Sequence, residues 1–323
     1  VTDVSPVSTP PSPAAGARSS LAERAGELGY AAGWRLVREV PAPVARWAFA
    51  RGADLAARRG GRGTRRLRAN LARVRPDADD AELDALTAAG LRSYARYWRE
   101  AFRLPAMDHE ALVRRLDPMV QGREHLDAAL ASGRGAVVAL PHSGNWDMAG
   151  LWLVAHSGRF TTVAERLRPE SLYERFVAYR ESLGFEILPM TGGEHPVRGL
   201  VRALRAGRVV CLVADRDLSA HGVPVTFFGG RATMPPGPAA LAASTGAALL
   251  PVGLWFTDGG DDGDGGADGA GEGWGFRIHP PVDVADRSAV PAATQRLADH
   301  FAADIAEHPT DWHMLQRVWR DED

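Results

Sequence analysis

The sequence predicts an α/β fold: a mostly parallel central sheet flanked by helices, with an N-terminal helical membrane-facing extension. Three observations carry this. From about residue 120 onward, short β-type runs alternate with longer helical stretches, the pattern of a parallel sheet built from crossover units. Before that point every periodic segment has helical spacing. A chain of 323 residues that is 45% apolar can bury one large α/β core with a helical appendage.

The elements follow in order. Residues 1–18 are rich in Pro, Ser and Ala without an apolar run, the composition of a disordered tail rather than of a signal peptide. From Ser20 to about Arg59 the spacing is helical, with Leu21, Ala25, Leu28, Ala32, Leu36 and Val40 near one face. Pro41 and Pro43 break this run, and a second helix carries Val44, Trp47, Ala48 and Leu55. Gly60-Gly-Arg-Gly reads as a linker. Helices are expected at about 64–74, 79–103 and 108–116, the second capped from within Asp77 to Asp80. Tyr94, Tyr97, Trp98 and Phe102 give that helix an aromatic stripe suited to core packing. Strands are expected at 135–140, 160–165, 185–189 and 208–214, with helices at 145–156, 170–183 and 195–206. A Pro/Gly-rich loop then leads to a helix at 235–245, strands at 248–256 and 274–279, and a last helix at 290–308. The acidic Gly/Asp run at 258–273 reads as a flexible insertion between two strands, since it lacks the ligand spacing of an EF-hand. The chain thus divides into a tail (1–18), a helical N-terminal region (19–118) and a single α/β core (119–323).

Composition removes several functions. All 38 basic residues are Arg, which excludes Schiff-base chemistry and a phosphate loop built on Lys. The single Cys211 lies in the apolar run Arg208-Val-Val-Cys-Leu-Val-Ala214, so a disulfide framework or a Cys-based metal site is excluded and a core role is expected. Net charge is −2, yet residues 1–75 hold 14 Arg against 5 acids, leaving an acidic remainder. A basic amphipathic N-terminus beside an acidic body reads as an element that meets an anionic membrane surface. No uncharged apolar stretch of about 18 residues exists to span a bilayer.

The chemistry concentrates in Ala139-Leu-Pro-His142-Ser-Gly-Asn-Trp-Asp147, directly after the apolar run Gly135 to Leu140. A strand ending in Pro-His puts His142 at a strand-to-helix corner, at the carboxyl edge where α/β sheets bind ligands. Asp147 follows one helical turn later, a spacing that lets its carboxylate fold back on the imidazole. An acid holding one ring nitrogen frees the other as a general base. A substrate hydroxyl can then be the nucleophile, which points to acyl transfer onto an alcohol. Asp215 likewise falls just past a predicted strand. Arg180, Glu165, Arg166, Arg168 and Arg216 are candidates for binding substrate, the arginines for its phosphates. Gly229, Gly230 and Pro235 to Pro238 read as a stiff loop before a helix N-terminus able to face an anion. His156, His195, His221, His300 and His313 have no comparable partner pattern and are expected to be structural or superficial.

These motifs carry a resemblance. His142-Ser-Gly-Asn-Trp-Asp147 is similar to the His-X4-Asp motif of glycerolipid-type acyltransferases. With Pro141, Ala214-Asp215-Arg-Asp-Leu218, Thr226-Phe-Phe-Gly229 and Met234-Pro-Pro-Gly-Pro-Ala239, it resembles the lipid A lauroyl/myristoyl acyltransferase branch. Tyr30-Ala-Ala-Gly-Trp-Arg-Leu-Val and the Arg-Leu-Arg-Ala-Asn-Leu segment at 66–71 look like phosphatidylinositol mannoside acyltransferases. The resemblance runs from about residue 20 to the end. It implies transfer of a fatty acyl group, palmitoyl, from acyl-CoA to a mannose hydroxyl of such a lipid. His142 is the implied base, Asp147 orients it, and Asp215 completes the site by positioning either the acceptor or the His142 side chain. Acyl-CoA enters as co-substrate, with no cofactor and no metal expected. The expected partners are acyl-CoA, the phosphoinositide glycolipid and an anionic membrane surface, not nucleic acid, and the expected location is peripheral, on the cytoplasmic face of the plasma membrane. Lipid A or another glycolipid as acceptor, or a lipid-binding protein with a vestigial His-Asp pair, are the alternatives.

Overall fold

The computed structural model describes residues 35–164, 170–190, 196–217, 221–258 and 272–319. Helix α1 (Ala42–Arg59) starts at Pro41, whose missing N–H costs nothing at a helix start, and stops at Gly60 in the left-handed region. It is followed by α2 (Arg62–Val74) and α3 (Asp80–Arg103), the latter capped by the Asp79 carboxylate, which accepts from Glu82 N at 2.8 Å. Helix α4 (His109–Leu116), the two-residue β1 (Val120–Gln121) and α5 (Arg123–Ala131) lead into the sheet. The core then runs β2 (Ala136–Leu140), α6 (Trp146–Ser157), β3 (Thr161–Ala164), α7 (Glu170–Ser182), β4 (Glu186–Pro189), α8 (Pro196–Arg205) and β5 (Val209–Val213). After it come a hairpin, β6 (Val223–Phe227) and β7 (Gly230–Met234), then α9 (Gly237–Thr245), β8 (Ala248–Asp258), β9 (Glu272–Ile278) and α10 (Val290–Glu307).

The seven-stranded sheet has the order β1-β9-β8-β2-β5-β3-β4. Strands β2, β3, β4, β5 and β8 are mutually parallel, while β9 runs antiparallel to β8 and carries β1 parallel to itself. The mixed α/β architecture expected from the sequence is present, with most boundaries within two residues. The acidic segment 259–271 lies outside the described residues; the strands on either side of it pair as far as Asp258↔Glu272. The hairpin β6–β7 and helix α5 carry no strong period in the sequence, and the structure adds them to the expected elements. Phe228 and Gly229 form the two-residue turn of that hairpin, both with positive φ (46° and 71°), so Gly229 and Gly230 belong to a hairpin rather than to a loop entering a helix.

Strand alternation sends Val137 and Ala139 to one core, under α8, α9 and α10, and Ala136, Val138 and Leu140 to the other, under α4 to α7. Helices α1, α2 and α3 close a third cluster through Ala53, Leu67, Leu71 and Leu91. In α1 the small residues Ala42, Ala45 and Ala53 face inward, while Val44, Trp47 and Leu55 are 51%, 62% and 45% exposed. No helix among the described residues is long and apolar enough to cross a membrane.

Candidate active site

Parallel register builds the site. Leu140 pairs with Val213 across β2 and β5, so two residues beyond each strand His142 comes level with Asp215. Asp215 Oδ1 accepts from His142 Nδ1 at 2.6 Å, and Oδ2 accepts from the His142 backbone N–H at 3.0 Å and from the Trp312 indole at 2.9 Å. Asp215 is fully buried, while 35% of the His142 side chain is exposed. Burial works against an ionised Asp215, but the imidazole beside it and its three hydrogen bonds hold the carboxyl below its ordinary range. Burial also works against a protonated His142, and the Asp215 carboxylate more than offsets this, raising the imidazole pKa. With Nδ1–H donating to Asp215, the lone pair of Nε2 is the basic position.

The corner is held tightly. Gly144 has φ 55°, and a Cβ there would lie 2.8 Å from backbone atoms of Leu254 and Trp255 in β8, so only glycine fits. Asn145 caps α6 by accepting from Asp147 N and Met148 N, both at 3.1 Å. Its amide donates in turn to buried Glu100 at 2.6 Å, which also accepts from Trp274 Nε1 at 2.9 Å.

Asp147 does not fold back on His142. Its carboxylate, fully buried in the first turn of α6, accepts from Arg180 Nε at 2.8 Å and Nη2 at 3.3 Å, and from the Tyr97 hydroxyl at 3.2 Å. The His142 partner is therefore Asp215, from a neighbouring strand. The physical reason is direction: the helical first turn aims Asp147 between α3 and α7, away from the strand edge. Arg180 is likewise engaged with Asp147 instead of standing free for a phosphate. Burial opposes its charge and the Asp147 carboxylate overcomes that, so Arg180 remains firmly protonated. Tyr97, expected as core packing, also serves as a hydrogen-bond donor at this pair; its ring packs at a tilt against Trp146, with centres 4.1 Å apart. Burial and the nearby Asp147 charge push its hydroxyl pKa well up, so it stays a donor.

Glu165, Arg166, Arg168 and His195 lie outside the described residues. Arg216 is half-buried next to Asp215, where its charge opposes protonation of His142. His313, expected to be structural or superficial, is buried directly behind His142: its backbone N–H donates to His142 O at 2.8 Å. Burial, then the charge of His142, push its pKa down to about 3, so its ring is neutral. Trp312 and His313 gave no sequence signal, because nothing in their spacing links them to residue 142. No group of His, Cys, Asp and Glu able to hold a metal occurs among the described residues.

Between the sheet and α6 runs an apolar cleft with a cavity volume of about 130 Å³. Val138, Leu140, Val213, Val252, Leu254 and Phe276 make up much of its sheet wall, and Asp147 and Arg180 are its charged lining. Cys211 also lines it, its thiol pKa raised by burial. Trp146, at the cleft wall, stands edge-on to His142 with ring centres 6.1 Å apart.

A His-carboxylate pair at the carboxyl edge of a parallel sheet, beside an apolar cleft, suits activation of a hydroxyl toward an acyl group. The chain belongs to the bacterial lipid A biosynthesis acyltransferase family, whose model matches residues 17–321. More particularly, it is 55% identical over 303 residues to the phosphatidylinositol mannoside acyltransferase of Mycobacterium tuberculosis (strain CDC 1551 / Oshkosh), covering 94% of this chain and 91% of the relative. It is 56% identical over 305 residues to the phosphatidylinositol mannoside acyltransferase of Mycolicibacterium smegmatis, with 94% of each chain covered.

Proposed function

We propose that this acyltransferase moves a palmitoyl group from acyl-CoA to a mannose hydroxyl of phosphatidylinositol mannoside. The observation that carries the chemistry is the buried Asp215 bonded to Nδ1 of a partly exposed His142, beside an apolar cleft. The relatives' names support the acceptor. His142 Nε2 takes the proton of the acceptor hydroxyl as its oxygen attacks the thioester carbonyl. Asp215 stabilises the imidazolium that forms and fixes the ring's tautomer. The tetrahedral intermediate collapses with cleavage of the C–S bond, and the imidazolium returns its proton to the departing CoA sulfur. The acyl chain occupies the cleft, where Asp147 and Arg180 neutralise each other and shape the wall between α6 and α7. No cofactor enters this scheme.

The protein works peripherally on the cytoplasmic face of the plasma membrane. Support comes from Val44, Trp47 and Leu55, exposed on α1 among Arg46, Arg51, Arg58 and Arg59, a pattern that suits an anionic lipid surface. Exposed Met190 and Val213 lie at the ends of β4 and β5, the sheet edge that carries His142.

The test is to incubate the protein with palmitoyl-CoA and separate acceptors, following release of the CoA thiol and the acylated product. Mannosylated phosphoinositide is expected to be consumed, with little turnover of glycerol 3-phosphate or lipid A precursors. Efficient use of either of those, with the phosphoinositide ignored, overturns the acceptor. Loss of all thiol release with every acceptor overturns the donor.

A further inference from the structure

We propose that Trp312 is a positioning residue for acyl transfer: its indole N–H holds Asp215 Oδ2 so that Oδ1 stays aimed at the ring of His142. This rests on His142 acting as the base. Trp312 lies in a strap, residues 311–319, that follows α10 and packs across the catalytic corner. Gly144 N donates to Asp311 O at 2.9 Å, His313 N donates to His142 O at 2.8 Å, and Ser143 and Trp312 form an isolated antiparallel bridge. The strap is anchored elsewhere by Asn70, whose amide donates to Met314 O at 2.7 Å and Gln316 O at 2.9 Å.

The indole has little freedom. Trp312 is fully buried, with Phe227 edge-on at 5.9 Å, Phe228 at 6.3 Å and Trp319 edge-on at 6.1 Å. Trp319 is pinned by its own indole, which donates to Phe227 O at 2.8 Å. Phe228, with φ 46°, holds a conformation that a bulky side chain rarely adopts, and such conformations persist where the surroundings impose them. The aromatic seat thus fixes the direction of one N–H, and that N–H points at the carboxylate of the dyad. Asp215 then has one oxygen shared by two fixed donors, the indole and the His142 backbone, and one left for the imidazole.

Removing the indole N–H concentrates charge on the carboxylate and lets it turn. The carboxylate then holds the imidazole proton more strongly, so His142 titrates at higher pH. The titratable and charged groups facing His142 are Asp215 and Arg216 beyond β5 and His313 in the strap, and His313 is neutral across the working range. His313 does not change charge there, so the change is read through Asp215.

The experiment compares Trp312→Phe with a protein carrying β-(3-benzothienyl)alanine at 312, which keeps the bicyclic shape and lacks the N–H. Both are assayed for kcat and KM across pH, and the imidazole of His142 is titrated by nitrogen-15 NMR. The expected result in both is a fall of about tenfold in kcat, the size of one hydrogen bond to a charged group, with KM within about twofold. The acidic limb of the profile and the NMR titration both move up by about 0.5 to 1 in pH. If the isosteric protein keeps the native limb and the native His142 titration, the proposal fails. If Trp312→Phe alone loses activity, with its limb unmoved, Trp312 only packs and the proposal fails too. His142→Ala, run alongside, separates the two readings: retained turnover there removes the base, while the NMR titration still judges Trp312.

Discussion

Two buried carboxylates are linked to His142, one by the chain and one by the sheet, and they differ in their partners. Asp147 is on the same helix corner, five residues along the chain; Asp215 is 73 residues away and arrives from the neighbouring strand. Asp147 is bonded to a cation and a phenol, Arg180 and Tyr97, whereas Asp215 is bonded to an imidazole and an indole. The first set of bonds ties α6 to α7 and α3; the second fixes the orientation of the His142 ring at the sheet edge. Closeness in sequence chose the wrong partner, because a helical first turn and a strand edge point in different directions. Closeness across a parallel register chose the right one.

The sharpest way to break this contrast is to neutralise each acid in turn. Asp215→Asn is expected to lower kcat by about a hundredfold or more, the low end for a misdirected base, and also to lose the stability that the ionised carboxylate contributes beside His142. Asp147→Asn is expected to act mainly on stability, losing about 3–5 kcal/mol because Arg180 is left buried without its counter-charge. Chemical denaturation measures this, and the double variant Asp147→Asn/Arg180→Met should regain much of the loss. An Asp147→Asn protein of native stability with hundredfold lower kcat would reverse the roles drawn here.

A smaller effect is expected at the corner itself. Gly144→Ala forces a side chain into the left-handed region and against the β8 backbone, costing about 1–3 kcal/mol and shifting the His142 turn. Melting and kcat measured together check this, and an unchanged melting temperature would show that the corner is slack.

The pH dependence follows from the second carboxylate. The pKa of His142 is raised, so turnover should climb as the imidazole deprotonates, with a midpoint above the ordinary value of about 6.5. For folding the sign is opposite. A raised imidazole contributes stability that is fully present below about 6.5 and is lost as pH rises through the folded value. The depressed Asp215 contributes stability above its unfolded value and loses it as pH falls through the folded one. Denaturant titrations of the parent and of His142→Ala from pH 4 to 9 (an assay range of roughly that span) isolate the imidazole's part. A turnover midpoint below the ordinary histidine range would argue against the Asp215 partnership.

The smallest effect is expected on α1. Trp47→Ser should leave stability within about 0.5 kcal/mol, since the side chain is exposed, yet weaken binding to anionic vesicles several-fold. Equal binding by both proteins would assign the exposed face of α1 to something other than lipid.

Much of this was legible in the sequence. Periodicity gave α3, α10 and the strands β2 and β5 closely, because each buries one regular face. The motif named His142 and included Asp215 among the site residues. What the sequence could not convey was pairing. The partner of His142 depends on β5 lying beside β2 in the sheet, although β3 and β4 come between them in the chain. In α1 the apolar residues were visible, but not that alanines would take the inner face and leave Trp47 outside. The hairpin β6–β7 was hidden by its Pro and Gly content, and Trp312 by having no local partner to announce it.

The strap over the catalytic corner has a consequence for how the protein is made. Residues 311–319 follow every strand of the sheet in the order of synthesis, and chains acquire structure from the N-terminal side as they emerge. A growing chain can therefore hold its whole sheet, with His142 and Asp215 already side by side, before the indole and the backbone clamp reach them. Architectural completeness of the sheet precedes closure of the corner, and a polypeptide that stops short of Asp311 carries His142 and Asp215 without the indole and backbone bonds that the strap brings to them.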